Sequence, residues 1–386
     1  MRASRTMTRD VIVVPPELTL ANAWRVMTRE RIRHLPVVRA GALIGMLSDR
    51  DVLARGTMEK DGILHVAPHD IVGEAMTPTP LVTCDASTDV SELARRMTEE
   101  KIDAIPVVNG LRLVGLVTST DLLKAVAQAR GTFATAIKLY ADLSPELAAK
   151  IIAEAHRQGL KVWSHATLYP TKPSEVVAAG ADAISHACLL IREPMAHVPS
   201  WSEPRPPVDL SAFRNGDNIA LARLFADMAK RGTILDATLW TYSAETEGSA
   251  TMPVLPPGSC DDTVGGAITG QAFRAGVLID AGTDNVAAWN DAWPDLLHEL
   301  IALSSKAKMP NGAILQSATL IGARAAGQER DMGSIEVGKL ANMVVLACDP
   351  LADLSNLKSV IMTVKRGRVF QRTAFAPLTE GDITDR

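Results

Sequence analysis

Residues 15–55 align with residues 85–125 at a constant offset of 70, without a gap. Met27 falls on Met97, Pro36-Val37-Val38 on Pro106-Val107-Val108, Gly45 on Gly115, Ser48 on Thr118 and Asp51 on Asp121. Whatever one copy folds into, the other must fold into as well, so this duplication constrains the chain more than any single motif. Each copy reads as helix, strand, strand, helix. An amphipathic helix is expected over about 21–29 and 89–99, followed by strands at 34–38 and 43–47, and at 104–108 and 113–117. Arg39-Ala40-Gly41 and Asn109-Gly110 supply the turns between strands, and Ser48 and Thr118 open the closing helices.

A hydroxyl at a helix start, flanked by backbone N–H groups, suits phosphate oxygens. A carboxylate three residues on, Asp51 or Asp121, stands one helical turn away and can accept from ribose hydroxyls. The same residues also suit a plain N-cap with a first-turn charge. The element order, with Gly45-Met46-Leu47-Ser48-Asp49-Arg50-Asp51 and Gly115-Leu116-Val117-Thr118-Ser119-Thr120-Asp121, resembles the cystathionine-β-synthase (CBS) domain. That resemblance implies a tandem pair over about 1–129 (repeats about 1–57 and 76–129). It further implies a regulatory adenine nucleotide (AMP, ATP or S-adenosylmethionine) held by Ser48, Asp51, Thr118 and Asp121. In the connector between the copies, His65 and His69 stand four apart, but Pro68 argues against a helix and for a surface link.

The helix after Asp121 is expected to end near Ala129-Arg130-Gly131, where the pattern changes. Short apolar strands at 136–139, 161–164, 183–185, 233–237 and 276–279 then alternate with helices at about 144–158, 173–179, 217–231, 263–275 and 290–305. This is the pattern of a parallel α/β sheet. Ser144-Pro145-Glu146 is a clear helix start. In such sheets chemistry gathers at the carboxyl ends of strands, and those ends carry Lys138, His165, His186 and Asp284; the strand at 233–237 contributes none.

Ile137-Lys138-Leu139-Tyr140 with Leu143-Ser144-Pro145-Glu146, Val162-Trp163-Ser164-His165-Ala166, Ile184-Ser185-His186-Ala187 and Gly282-Thr283-Asp284 resemble strand segments four, five, six and eight of the amidohydrolase superfamily. Within it the likeness is to imidazolonepropionase-like and Xaa-Pro-dipeptidase-like members. The tail from Met332-Gly333-Ser334-Ile335 to Gly367-Arg368-Val369 resembles the small β-domain that closes those chains. The fold class implied is α/β: a CBS pair (α+β), an incomplete (β/α)8 barrel over 132–330 and a small β-domain over 331–372. The resemblance also implies a divalent metal, with zinc as the expected ion, held by a carboxylated Lys138 with His165, His186 and Asp284. Asp284 would double as the catalytic proton acceptor.

No two of the eight histidines have the His-x-His spacing of the family's first strand, and the CBS pair occupies the place of strands one to three. Lys138, His165 and His186 still make three ligands for a single ion with one open position. A five-stranded barrel leaves two edges to be covered by the CBS module, a second copy of the chain or a partner chain. Two activities follow: hydrolysis of a small amide under nucleotide control, or nucleotide sensing with the hydrolase half as an inactive platform. Trp201 and Trp240 are candidates for lining a substrate pocket built by the Pro-rich segments 187–216 and 241–262, and Tyr140, just beyond Lys138, is a candidate for orienting a substrate. His298 reads as structural.

Composition narrows the partners. The chain of 386 residues carries a net charge of −4 without a basic block, which argues against nucleic acid and membrane surfaces. No run of 18 apolar residues occurs, and the first residues lack the apolar stretch of a secretory leader. The four cysteines, Cys84, Cys188, Cys260 and Cys348, are scattered, so reduced thiols in a cytoplasm are expected and a Cys-ligated zinc is not.

Overall fold

The computed structural model describes residues 2–58, 64–123, 126, 134–243, 259–285 and 293–376, in two units, Met1–Gln128 and Ala129–Arg386. The expected helix end at Ala129-Arg130-Gly131, the start of the expected helix at 290 and residues 244–258 of the Pro-rich segment lie outside the described residues.

In the first unit, α1 (Leu20–Glu30) begins where Thr19 caps the backbone N–H of Asn22. It buries Leu20, Ala23 and Met27, one face at helical spacing. Strands β1 (His34–Arg39) and β2 (Ala42–Ser48) form an antiparallel hairpin from His34↔Ser48 to Arg39↔Ala42. Ala40 and Gly41 turn it with φ of 50° and 82°, the positive pair that a two-residue hairpin loop demands. The capped helix α2 (Asp49–Leu53) follows. Val14, Leu35, Val37, Leu47 and Val52 close with the helix face into one core.

Within the described residues the second copy repeats this plan. Past the two-residue strand β3 (Thr77–Pro78) and helix α3 (Val90–Glu99), β4 (Ala104–Asn109) pairs with β5 (Arg112–Thr118). Every partner in this hairpin is the first hairpin's partner plus 70, including the bulge at Val107/Val108 that matches Val37/Val38. The copies are also interleaved. The segment leading into copy two pairs with copy one (Met46↔Thr77), and the segment leading into copy one bridges to copy two (Thr8↔Leu116). Gly45 and Gly115 permit this, because a Cβ at Gly45 would strike Met76 Sδ and Thr77 O, and one at Gly115 would strike Met7 Sδ and Thr8 O.

The second unit is built on a parallel sheet whose five strands lie in chain order: β6 (Ala136–Leu139), β7 (Lys161–His165), β8 (Ala183–Ser185), β9 (Ile234–Asp236) and β10 (Ile279–Asp280). Helices make the crossovers. Helix α4 (Pro145–Arg157) starts at the Ser144 cap with Pro145 in its first turn, and buries Leu147, Ile151 and Ile152. Helix α5 (Pro173–Ala179) ends on Gly180 and α6 (Ile219–Arg231) on Gly232, both with positive φ. Helix α7 (Asp262–Arg274) starts at the Asp261 cap, and α8 (Leu296–Ser305) is shorter than the expected 290–305 within the described residues. Strand β10 begins three residues later than the apolar run at 276–279 suggests and ends one later, because Gly276 has a positive φ and turns the chain first. Among the described residues β6 and β10 are each paired on one side only. A separate antiparallel sheet, β11 (Met343–Leu346), β12 (Val360–Lys365) and β13 (Arg368–Gln371), closes the described chain.

The cysteines correct the expectation of four reduced thiols. Cys188 and Cys260 form a disulfide, with Cα atoms 5.6 Å apart across 72 residues of sequence. Cys188 lies in the turn that follows β8 and Cys260 directly precedes the Asp261 cap of α7, so the sheet brings together two residues that no short spacing connects. Cys84 and Cys348 are free thiols, one buried and one exposed.

Each of Gly45→Ala and Gly115→Ala is expected to lower the free energy of unfolding by about 1–3 kcal/mol, the usual result of forcing atoms into packed space. Urea denaturation of the full chain checks this, with Ala40→Gly at the open hairpin turn as a control that stays close to the parent.

Candidate active site

The polar residues of the sheet collect at the carboxyl ends of its strands. Lys138 stands on β6, His165 ends β7, Ser185 ends β8 and Asp236 ends β9. His186 follows β8 with φ of 76°, and Asp284 follows β10 with φ of 47°. Both backbones occupy the left-handed region, which non-glycine residues enter sparingly and often at functional sites. The left-handed turn at His186 keeps its N–H on the carbonyl of Asp236, 2.9 Å away, while swinging the imidazole to the sheet's rim.

A cavity of about 280 Å³ opens there, lined among others by Lys138, Trp163, Ser185, His186, Asp236 and Asp284. His165 stands behind His186, their ring centroids 4.5 Å apart and nearly perpendicular. Asp284 Oδ2 lies 3.8 Å from His186 Nδ1. All four strand-end residues singled out from the sequence therefore gather at one rim, three lining the cavity and His165 one ring behind it.

Sequence reasoning missed the group that ties this rim together. The Ser185 hydroxyl, without solvent exposure, accepts from Lys138 Nζ at 2.8 Å and from Trp163 Nε1 at 2.6 Å, and donates to Asp236 Oδ2 at 2.9 Å. Asp236 Oδ1 also accepts from the Gly282 N–H at 3.0 Å. The strand expected to contribute nothing thus supplies a buried carboxylate. The available signal was a polar residue closing an apolar run, Ile234-Leu235-Asp236, the same signal that marked His165.

Burial sets the charge states. It pulls the His165 imidazole down to about 4, helped by the Lys138 ammonium. It pulls His186 down to about 2, helped by His165 and Lys138. Both rings are therefore neutral near pH 7, the form that ligates metals. Burial also lowers Lys138, against the opposing pull of Asp236 and Asp284, and raises Asp284. Asp236 is pushed up to about 7 by burial and then by Asp280, itself raised to about 6 by burial.

The donor set fits a metal in part. His165 Nδ1 is buried and has no hydrogen-bond partner, which leaves a lone pair or N–H unsatisfied in a residue only 8% exposed. His186 commits Nδ1 to Thr238 Oγ1 at 3.0 Å, which reserves Nε2 for a ligand. Yet among the described residues no group of three His, Cys, Asp or Glu side chains stands close enough to share an ion. Beside the two histidines, Lys138 and Asp284 are the charged side chains named from the sequence that line the cavity.

Around the rim, Tyr140 lies 4.2 Å from the His165 ring and 6.0 Å from Trp201, ring to ring. Trp201 packs on Tyr169 and carries the Arg205 guanidinium 4.0 Å over its face. Trp240 instead stacks on His298 at 4.2 Å, a packing role for both. His65 and His69 are exposed in the link between the copies, His65 on a two-residue strand rather than a helix.

In the first unit the paired signatures take one geometry. Ser48 accepts from the Asp51 N–H, and Asp51 Oδ2 accepts from both the Ser48 N–H and its hydroxyl, each at 2.7 Å. Asp121 Oδ2 accepts from the Thr118 N–H at 2.9 Å and its hydroxyl at 2.8 Å. Each carboxylate is thus held beside its hydroxyl, in a full capping box at Ser48 and in the matching carboxylate half of one at Thr118.

The CBS domain family model matches residues 3–56 and 72–128. A CBS domain-containing protein of Bacillus subtilis (strain 168), YhcV, is 34% identical over 118 residues, 30% of this chain and 79% of that protein. The chain belongs to the CBS-domain family. After its CBS pair comes the unit with five parallel strands, whose fold resembles that of a solved amidohydrolase. A solved amidohydrolase aligns with a TM-score of 0.50 and 21% identity over 66% of this chain and 58% of that one, a share too large for the CBS pair alone to fill. A solved Xaa-Pro dipeptidase with bound methionine aligns at 0.48 and 22%, over 69% and 59%. The chain spans about three fifths of the length of these two solved chains, and at such identity the likeness is one of fold. Among the described residues no helix is long and apolar enough to cross a membrane.

Ser185→Ala would leave Lys138, Trp163 and Asp236 without their shared partner. It is expected to reduce the unfolding free energy by about 1–3 kcal/mol, the cost of stranding buried polar groups. Denaturation with Lys150→Ala, on an exposed face of α4, as reference checks the size; the reference should move by no more than about 0.5 kcal/mol.

Proposed function

We propose that the chain is a metal-dependent hydrolase of carbon–nitrogen amide bonds whose activity responds to an adenine nucleotide bound by the CBS pair. The observation that carries this reading is the buried, unpartnered Nδ1 of His165 beside His186, on the rim that Lys138 and Asp284 share. His165 through Nδ1, His186 through Nε2 and a carboxylated Lys138 would hold the ion, with zinc the best match to the two imidazoles. When bound, such an ion polarises a carbonyl and lowers the pKa of water.

This chain's own residues supply the rest. Asp284, its carboxyl raised by burial and its side chain open to the cavity, is placed to take a proton from the attacking water and return it to the departing amine. Asp236 and Ser185 orient Lys138. Tyr140 and Trp201 form an aromatic wall on the His165 side, suited to the flat faces of a small amide substrate. On the CBS pair, the Ser48–Asp51 and Thr118–Asp121 boxes present a fixed carboxylate for ribose hydroxyls next to helix-start N–H groups. The free edges of β6 and β10 are where a second copy of the chain or a partner chain would pair.

A second reading keeps the nucleotide response and drops the catalysis, leaving the barrel half as a platform. It is favoured by the lack, among the described residues, of any three-member His, Cys, Asp or Glu group and by the missing His-x-His.

Metal analysis of full-length protein purified from zinc-supplemented medium separates the two. The hydrolase reading expects about one zinc per chain, lost in His165→Ala and in His186→Ala. Less than about 0.2 per chain in the parent would leave the platform reading standing. In parallel, hydrolysis of a panel of N-acyl amino acids and dipeptides should fall by at least about 100-fold in Asp284→Asn. The residual parent activity should change when AMP is added, and that change should vanish in Asp51→Ala/Asp121→Ala. Hydrolysis that survives Lys138→Ala and His186→Ala would place the chemistry elsewhere.

A further inference from the structure

A second cavity, of about 170 Å³, lies wholly within the CBS pair. Its walls come from both copies: Arg9, Val11 and Val13 on the segment leading into copy one, Val38 at the end of β1, and Arg112 at the start of β5. None of Ser48, Asp51, Thr118 and Asp121 lines it. Its volume is several times the roughly 30 Å³ that one water occupies in the liquid, so it has room for a small molecule or a molecular fragment.

The charges at this cavity are one-sided. Several arginines of the unit are tied to carboxylates: Arg39 to Glu17, Arg50 to Asp103, Arg95 to Glu92 and Glu99, Arg96 to Glu92. Arg9 gives one N–H to the Ser4 carbonyl at 2.9 Å and has no carboxylate partner among the described residues; Arg112 has none either. No acidic residue lines the cavity. Two arginines, one on the segment leading into copy one and one in copy two, therefore line one space that no acidic residue lines. Guanidinium forks match the oxygens of phosphate in pairs. Val11, Val13 and Val38 provide an apolar floor for whatever the phosphate is attached to.

We propose that this cavity is a phosphate-binding site for a small phosphomonoester, clamped between Arg9 and Arg112 and separate from the Ser48–Asp51 and Thr118–Asp121 boxes. Its phosphate can arrive free or as part of a phosphorylated small molecule. Because Arg9 follows the Thr8↔Leu116 bridge to copy two, where Arg112 lies, while Val38 belongs to copy one's hairpin, an occupant would touch both halves of the pair.

Isothermal titration of the full chain with three probes tests this: inorganic phosphate, AMP and adenosine. Inorganic phosphate is expected to bind. Its affinity should drop by about tenfold in Arg112→Ala and in Arg9→Ala, and below detection in the double variant, since each removes a charge-assisted contact. Adenosine, without a phosphate, reports the boxes and should be indifferent to both arginines. If AMP competes with inorganic phosphate, the site takes a nucleotide's phosphate; if the two bind additively, it takes phosphate from another source, and either result supports the clamp. Both arginines are exposed, so the variants should melt with the parent. Phosphate binding undiminished in the double variant, or absent from the parent at 20-fold the phosphate level of about 1 mM that weak sites require, overturns the proposal. Loss of adenosine binding alone would count against the nucleotide role of the boxes and leave the clamp in place.

Discussion

One hydroxyl holds the rim of the barrel half. Ser185 Oγ joins Lys138 on β6, Trp163 on β7 and Asp236 on β9 from its own place on β8, so four neighbouring strands share a single buried atom. Hydrogen bonds in such a dry setting are strong when satisfied and costly when broken. With Trp163 and Lys138 donating, the serine's own proton has only the Asp236 carboxylate to go to. That arrangement fixes the lysine's amine near His186 and Asp284, and everything proposed for the cavity depends on it.

The parallel sheet explains why these groups meet. Five strands in chain order, each followed by a helix return, place every carboxyl end on the same side. The strand interiors are apolar because helices cover them, and polar residues are tolerated only where the strand emerges. His165, Ser185 and Asp236 each close a buried strand. The disulfide joins the same side of the unit, between the turn after β8 and the start of α7, and ties the segment that carries His186 to its neighbouring helix.

The CBS pair is governed by a different constraint. Its two hairpins exchange leading segments, and the exchange works only where backbone can lie directly on strand, at Gly45 and Gly115. The capping boxes at Ser48 and Thr118 satisfy the helix starts and at the same time fix two carboxylates at the copies' matching positions. Arg9 and Arg112 line a cavity that none of the box residues lines.

Much of this was legible from residues alone. The offset of 70 announced two equal halves, because identical patterns of apolar, turn and cap residues must bury the same faces; the register of the second hairpin follows the first throughout. Ser144-Pro145, Gly180 and Gly232 marked helix ends through local backbone preferences. The strand-end positions of Lys138, His165 and His186 followed from short apolar runs. What the chain's local pattern could not reveal was which distant groups touch. Ser185 reaches Lys138 across 47 residues and Asp236 across 51, and Cys188 reaches Cys260 across 72. Nor could it show that Arg9 and Arg112 face one cavity. Propensity and periodicity act over a few residues, whereas these contacts depend on strand register and on loops folding back over a finished sheet, and only the tertiary structure decides those.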